Sequence, residues 1–308
     1  GRVVFRSWHS LQAGLLAGPA SHDIAARIIW SLRMPRLVLA FLTGAILAGA
    51  GALLQAVTRN PLADPFLFGL SSGSATGAVA VIVLLGDVFG VWTIAFGAVG
   101  GAFLATSALL LLVSFRSRSG ARVSTERMLL SGLAIAFVFS TLTNLLIFWG
   151  DRNTAQSVLF WTMGSFSAAR WSVLPLVVLG LLPVIFGKWA FGADLDALMA
   201  GEETAASLGV QTRKLRLCVL ALCAFSCATT VALCGPIGFV GLIVPHLIRP
   251  FWGRSVRNVL IPAMVAGGML TILSDLLSRC LLPSQELPVG IVISAIGACF
   301  LMGLLTRR

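Results

Sequence analysis

The sequence predicts an all-α protein, a polytopic bundle of membrane-spanning helices, and three observations carry that prediction. Hydrophobic residues make up 58% of the 308 residues and charged residues only 11%, whereas a soluble domain carries about 25% charged residues. The mean hydropathy is +0.98. The apolar runs are long and continuous and do not alternate with polar residues. They favour helices over barrel strands, since a spanning helix satisfies its own backbone hydrogen bonds in lipid.

Nine apolar runs are candidate membrane spans, for which roughly 20 residues are needed. They cover residues 37–57, 66–85, 91–113, 128–149, 171–189, 216–234, 236–250, 258–280 and 288–306. The run at 236–250 is the shortest, and proline interrupts it. An odd number of spans predicts that the two ends of the sequence lie on opposite faces of the membrane.

Basic residues orient the predicted bundle. Most of the 22 Lys and Arg residues lie in alternate loops, and the positive-inside rule places these loops in the cytoplasm. Because the basic clusters lack interleaved aromatic residues, the net charge of +11 indicates orientation and not nucleic-acid binding. Residues 1–36 then form a periplasmic N-terminal segment ahead of a transmembrane domain at 37–308. Five arginines in that segment break the rule, so we expect a further, preceding helix that this sequence lacks. It would bring the bundle to ten helices.

The sequence holds no group of residues typical of catalysis or metal binding. His9, His22 and His246 are scattered, and none of the six cysteines has the paired spacing of a zinc site. The Gly187–Lys188 pair lacks the other residues of a phosphate-binding loop. We therefore expect a chain that is not an enzyme by itself and binds neither a cofactor nor a metal.

Charge inside the predicted spans is also scarce. Ionisable residues in the middle of a span mark ion and proton pathways, and none lies securely there. Asp275 lies four residues before Arg279 near an outer helix end, where an ion pair within the helix is expected. This pattern argues against an ion-coupled carrier.

Small residues at a fixed spacing indicate close helix packing in two segments. In GLSSGSATG, Gly69, Gly73 and Gly77 are four residues apart, so they share one helix face that a neighbouring backbone can approach. TGAILAGAGA repeats the pattern ahead of the turn RNPLADP. We expect the two segments to form a tight helical hairpin, with Asp64 accepting hydrogen bonds from N–H groups in the turn.

One polar stretch interrupts the predicted membrane domain. Four of the 11 acidic residues lie between Asp194 and Glu203, on an otherwise basic face. The pattern predicts a short helix opening at Asp194, a break at Gly201, and a second helix over 202–208 that closes at Gly209. Helices that lie on anionic lipid are typically rich in Lys and Arg. This acidic, alanine-rich pair is therefore expected to fit a groove in a partner protein.

Six motifs, in this order, resemble those of a known family. They are SLRMPR (31–36), GALLQAVTRNPLADP (51–65), RVSTERMLLSG (122–132), GEETAASLGV (201–210), GPIGFVGLIVPHLIR (235–249) and QELPVGI (285–291). From about residue 28 to residue 308 the chain resembles the permease subunit of type II ATP-binding cassette (ABC) importers for ferric siderophores, haem and cobalamin, the FecCD-like family. That family has ten helices, which matches the nine visible spans and the expected preceding one.

The resemblance implies a division of labour in a bacterial inner membrane. Two permease copies form the pathway as a homodimer, two cytoplasmic ATPases bind ATP and Mg²⁺ and drive alternating access, and a periplasmic substrate-binding protein delivers the cargo. Ferric siderophore is the first cargo implied, with haem and cobalamin as alternatives. An ATP-independent channel or a secondary carrier is the alternative from another functional class.

The resemblance also implies roles for particular positions. Outer-face arginines that pair with carboxylates of the binding protein match Arg33, Arg36 and Arg279. The inner gate matches residues 124–126, although Ser or Thr before an acidic residue is also typical of a helix N-terminus. The gate residues are Ser124, Thr125 and Glu126. The residues expected to couple to the ATPase are Asp194, Asp196, Gly201, Glu202, Glu203, Ala205, Ala206, Leu208 and Gly209.

Overall fold

A computed structural model of the chain describes residue 18 and residues 24–66, 69–85, 91–117, 125–282 and 285–306, and every regular element in these ranges is helical. The helices are α1 (Ile24–Ile28), α2 (Met34–Thr58), α3 (Leu70–Leu84), α4 (Val91–Ser117), α5 (Thr125–Trp149), α6 (Arg152–Thr162), α7 (Leu174–Ala200), α8 (Glu202–Ser207), α9 (Thr212–Cys234), α10 (Val240–Trp252), α11 (Val256–Cys280) and α12 (Val289–Thr306). A π-helical turn, Ile29–Arg33, joins α1 to α2, and a short 3-10 turn, Trp171–Val173, precedes α7.

Each predicted span corresponds to one helix. Six helical stretches are long and apolar enough to cross a membrane, whereas α3, α10 and α12 are apolar but shorter. The six are Ala26–Thr58, Trp92–Leu112, Leu130–Trp149, Trp171–Ala200, Thr212–Cys234 and Val256–Cys280. The predicted all-α membrane bundle is therefore confirmed over the ranges that the structure describes. The sequence prediction lacked α6, because its 11 residues are too few and too polar to resemble a span.

The helix α7 is longer than the sequence predicted. A span ending near residue 189 and a separate short helix opening at Asp194 were expected, but α7 continues unbroken from Leu174 to Ala200. Asp194 and Asp196 therefore lie in its last two turns and do not open a coupling helix. Tertiary packing overrides the weak helix propensity of glycine here, because the glycines of this stretch are buried against neighbouring side chains. The break comes at Gly201, whose φ of 152° is a conformation that favours glycine.

The helix α2 lies at the centre of the bundle, where α7, α9, α10 and α11 pack around it. It is buried almost continuously over residues 43–58. The helix α2 approaches α11 closely where Gly44 meets Gly267, since a side chain at Gly44 would collide with the Gly267 carbonyl. Thr271 donates its hydroxyl to the Ala40 carbonyl at 2.7 Å. Small residues therefore let α2 and α11 pack backbone to backbone.

The helices α3 and α4 form a second closely packed pair. Gly73 lies against the carbonyl of Gly101, and Gly77 packs against Gly97 and Gly101. Gly69 does not share this face, because it precedes α3 with a φ of 73° and lies against α5. The hairpin predicted for α2 and α3 is therefore wrong. Their glycine faces turn to different partners, α11 and α4 respectively.

The short helix α10 is held at its start by polar groups of its neighbours. Pro245 has no N–H, so it leaves the Gly241 carbonyl without its usual helical partner. Gln55 of α2 supplies the missing donor, with its Nε2 at 3.1 Å from the Gly241 carbonyl and 3.3 Å from that of Leu242. Asp64, in the turn after α2, accepts hydrogen bonds from the N–H groups of Phe66 and Leu242. These contacts allow a half-length helix to begin within the bundle.

Candidate functional site

Arginines and carboxylates from distant parts of the chain meet at one end of α11. Arg36, in the first turn of α2, donates Nε to Asp275 at 3.1 Å and Nη2 at 2.8 Å, and it donates Nη1 to Glu286 at 2.9 Å. Arg279 forms an ion pair with the Asp275 carboxylate, with 3.0 Å between Nη2 and Oδ2, and its Nε donates to the Asp275 backbone carbonyl at 3.2 Å. Arg33 lies one helical turn before Arg36. We call these five residues the arginine cluster.

The members of the arginine cluster are buried to different depths. The exposed fraction of the side chain is 1% for Asp275, 14% for Arg36, 24% for Arg279 and 56% for Glu286. A buried ionised carboxylate is stable only when it is paired and hydrogen-bonded, and two guanidinium groups meet that requirement for Asp275. Asp275 therefore holds Arg36 and Arg279 in place from below, whereas Glu286 contacts Arg36 from the solvent side.

The three arginines predicted to dock a partner line one cavity. Arg33, Arg36 and Arg279, together with Glu286, surround a volume of about 400 Å³. The structure thus brings Arg279 of α11 and the two arginines around the start of α2 to a single surface that carries more basic than acidic groups. Such a surface attracts anionic groups.

The arginine cluster differs from its prediction in the partners that its arginines already have. Arg36 and Arg279 already hold carboxylates of their own chain, so they are not simply offered to a partner. The spacing of Asp275 and Arg279 indicated their ion pair. Arg36 contacts Asp275, 239 positions away, and Glu286, 250 positions away. No local pattern in the sequence predicts either contact.

The predicted coupling segment, residues 194–210, lies near the opposite end of α11. After Gly201 the chain forms α8, which ends in two paired backbone hydrogen bonds. Gly209, with a φ of 80°, donates to the Ala206 carbonyl at 3.0 Å, and Val210 donates to the Ala205 carbonyl at 2.9 Å. This is the glycine-dependent closure that commonly ends a helix, and it fixes the direction in which the chain leaves α8.

The side chains of the coupling segment divide into an inner and an outer set. Ala205 is fully buried, whereas Glu203, Ala206 and Leu208 are exposed. Leu208 stands out because 68% of this large apolar side chain is exposed. A short helix with one sealed face and one open face, carrying both an acidic and an apolar group, suits contact with another protein.

Two acidic residues assigned to coupling are held within the chain. Asp196 accepts hydrogen bonds from the Ser255 hydroxyl and the Val256 N–H, both at 2.6 Å, so it caps the N-terminus of α11. Glu202 pairs with Arg216 of α9. The sequence predicts that the acidic residues of this stretch contact the partner protein as one set. The structure corrects this for Asp196, because α7 continues far enough to bring it beside α11, and for Glu202.

The predicted inner gate can be placed only in part. Ser124 lies outside the described residues, and α5 begins at Thr125, followed by Glu126. The gating role of these three residues stays a prediction.

A second cavity, of about 580 Å³, lies where the α2–α3 turn, the start of α10 and helix α12 meet. Apolar side chains dominate its wall, with Asp64, Thr162 and Ser294 as polar members. Burial raises the pKa of the Asp64 carboxyl to about 6, although hydrogen bonds from the Phe66 and Leu242 N–H groups act in the opposite direction. Among the described residues, no group of three or more His, Cys, Asp and Glu side chains could hold a metal ion.

Comparisons with known proteins identify the family. Residues 4–307 match the model of the FecCD transport family. The vitamin B12 import system permease protein of Klebsiella pneumoniae is 35% identical over 302 residues, covering 97% of this chain and 89% of the relative. Its counterpart from Yersinia enterocolitica is 33% identical over 279 residues, covering 91% and 82% respectively. A solved structure of an ABC transporter, described as of the metal-chelate type and inward-facing, has a TM-score of 0.81 at 30% identity, covering 94% of this chain and 90% of its own.

These matches extend over nearly the whole chain, and the solved transporter structure shares its helical architecture. In this fold, the arginine cluster lies at one end of α11, and the coupling segment lies near the other end. The chain belongs to the FecCD transport family and is a multi-pass membrane permease subunit of the type II ABC importers.

Proposed function

We propose that this chain is one half of the pathway of an ATP-driven importer in a bacterial inner membrane, which moves a bulky metal chelate from the periplasm to the cytoplasm by alternating access. The observation that carries the proposal is α8, a short helix mounted on the end of the long helix α7. Its outward side chains, Glu203, Ala206 and Leu208, form a contact surface for an ATPase. ATP and Mg²⁺ bind to that separate ATPase subunit, of which there are two in the complex.

Movement of the ATPases would reach the bundle through the joints around α8. Gly201 and Gly209 give the chain its two sharp changes of direction, while the pair between Glu202 and Arg216 ties α8 to α9. A displacement of α8 is thereby passed to α7 and α9, which pack against each other and against α2. The inner gate at Ser124, Thr125 and Glu126 would then open or close at the start of α5.

The coupling surface is tested by reversing charge on its outer face. Glu203→Lys is expected to weaken assembly with the ATPase by about tenfold or more, because a buried interface charge of the wrong sign costs several kcal/mol. Asp151→Lys, the same charge change outside the coupling segment, is the control. Assembly is measured by titrating the purified ATPase onto the permease in lipid nanodiscs. If Glu203→Lys assembles with the ATPase as well as the wild type does, α8 is not part of the contact.

A second copy of the chain is the partner proposed within the membrane. In the single chain α5 is largely open, with Phe137, Leu142 and Phe148 exposed, and only 17% of its span is buried. The helix α12 also presents exposed apolar residues, among them Ile291 and Met302. Two copies facing each other across α5 and α12 would enclose a pathway between them. Its wall would include the cavity beside Asp64.

The arginine cluster is proposed to dock an acidic periplasmic binding protein. Arg33, Arg36 and Arg279 line one cavity on the predicted outer face, and complementary charge steers association there. Arg33→Glu is the more specific variant, because Arg36→Glu would also remove a buried ion-pair partner of Asp275. We expect Arg33→Glu to weaken binding of the binding protein about tenfold at low salt. An unchanged affinity would remove the docking surface.

The cargo is proposed to be a metal chelate carried without direct coordination by this chain. Ferric siderophore is the first cargo that the resemblance to the family implies, and the names of the vitamin B12 permeases favour cobalamin as the second candidate. Reconstituted complexes should take up one of these in an ATP-dependent manner that also requires the ATPase and the binding protein. Haem uptake would indicate the third alternative. Uptake by the permease alone would instead indicate a channel or a secondary carrier.

A further inference from the structure

The guanidinium group of Arg36 is shared between two carboxylates with different surroundings. Nε and Nη2 face Asp275 at 3.1 and 2.8 Å, and Nη1 faces Glu286 at 2.9 Å. Asp275 is 1% exposed, and its carboxylate also forms an ion pair with Arg279 at 3.0 Å. Glu286 is 56% exposed and lies on the irregular segment between α11 and α12.

These surroundings give the two contacts different strengths. Removing one partner of a buried ion pair is strongly unfavourable, because it leaves a buried charge without compensation. An exposed ion pair contributes little, because water and salt screen it and the side chains lose freedom. Arg36 and Asp275 are therefore a fixed unit, while Glu286 can leave Nη1 of Arg36 at low cost.

The position that Glu286 occupies is also the position that a docking carboxylate would take. It lies at the rim of the cavity of about 400 Å³ that Arg33, Arg36 and Arg279 line. The other two nitrogens of Arg36 point at the buried Asp275, so Nη1 is the group of this side chain that faces outward.

We infer that Glu286 is an internal substitute for a carboxylate of the binding protein. It satisfies Nη1 of Arg36 while the transporter is unoccupied, and an incoming carboxylate displaces it on docking. Glu286 thereby limits the affinity for acidic proteins and favours release after delivery, since it competes for the same guanidinium group. This inference rests on the proposed docking of a binding protein at the arginine cluster.

The test measures binding of the transporter's own fluorescently labelled binding protein to the full permease–ATPase complex in nanodiscs. Glu286→Gln is expected to raise the affinity by about threefold to fivefold, as removal of an exposed competing charge should, chiefly through slower dissociation. Asp151→Asn, which removes one negative charge from the same predicted outer face outside the arginine cluster, controls for the general change in potential. It should raise the affinity by less than about twofold.

Each outcome separates the inference from the proposal beneath it. An unchanged or weaker affinity for Glu286→Gln would overturn the inference, and a weaker one would make Glu286 itself a docking contact. If Arg33→Glu still weakens binding in that case, the docking surface stands without the internal competitor. If the unmodified complex does not bind the binding protein, both are wrong. Because Glu286 is exposed, its replacement leaves folding intact, which the unfolding midpoint of the variant checks.

Discussion

Carboxylates at the two ends of α11 stabilise the bundle in different ways. At the predicted outer end, Asp275 meets the guanidinium groups of Arg36 and Arg279. At the opposite end, about 28 Å along the helix axis from Asp275, Asp196 accepts hydrogen bonds from a hydroxyl and a backbone N–H at the start of α11. Asp64, in the α2–α3 turn, likewise meets backbone N–H groups, one of them at the start of α10.

The difference follows from burial and from the charge available nearby. A helix N-terminus offers only a partial positive charge and a few N–H donors, which suffice for Asp196, whose side chain keeps some contact with solvent. A fully buried carboxylate with two arginines is a set of full charges, one negative and two positive, and such a set is sensitive to the loss of its carboxylate. The outer end should therefore be the more fragile one, although it has more ion pairs.

The largest effect is expected at the outer end. Asp275→Ala should lower the free energy of unfolding by about 3–5 kcal/mol, because Arg36 and Arg279 lose the charge that compensates their burial. Titration with sodium dodecyl sulfate in mixed micelles measures this energy. Glu286→Gln, which removes the exposed carboxylate of the same cluster, should cost less than about 1 kcal/mol. Similar losses for the two variants would mean that burial does not set the difference within the cluster.

The backbone contact between the two ends gives the next largest effect. Gly44→Ala should destabilise by about 1–3 kcal/mol, because the added methyl group meets the Gly267 carbonyl and the Thr271 side chain and forces α2 away from α11. Gly100→Ala is the matched control, since nothing lies within 4 Å of the position of its Cβ. It should be neutral or stabilise by up to about 1 kcal/mol through helix propensity. If Gly44→Ala and Gly100→Ala destabilise the protein equally, the loss comes from replacing a helical glycine and not from the contact with Gly267.

Local patterns in the sequence anticipated some of these features and missed others. The spans, the closing glycine at Gly209 and the pair of Asp275 with Arg279 each depend on residues within a few positions of one another. The contacts of Arg36 with Asp275 and of Asp196 with Val256 join segments 239 and 60 positions apart, and only the packed bundle brings them together. The hairpin prediction failed for the same reason, because small residues indicate that a face packs closely without indicating which helix it meets.

The buried carboxyl of Asp64 allows the effect of burial on a carboxylate to be tested through the pH dependence of stability. Because burial raises the pKa of its carboxyl to about 6 in the folded protein, above the usual value of about 4, the folded state favours the protonated form. The stabilising contribution is complete below about pH 4 and is lost as the pH rises through 6. The loss should be about 1 kcal/mol between about pH 5 and pH 7. Unfolding titrations at several pH values measure this slope, which Asp64→Asn should remove and Asp151→Asn should keep. A slope unchanged in Asp64→Asn would show that another group titrates.

The smallest effect is expected at the cap of α11. Asp196→Ala should lower the free energy of unfolding by about 1 kcal/mol, since it removes an acceptor for the Ser255 hydroxyl and the Val256 N–H. Asp196→Asn should retain most of this stability, because its amide oxygen still accepts from the helix N-terminus. Asp194→Ala, on the same turn of α7, serves as the control and should change the free energy of unfolding by less than about 0.5 kcal/mol. The same detergent titration measures all three. If Asp196→Ala instead costs as much as Asp275→Ala, the cap carries as much free energy as the buried ion pairs, and the two ends of α11 do not differ in the way that burial and charge predict.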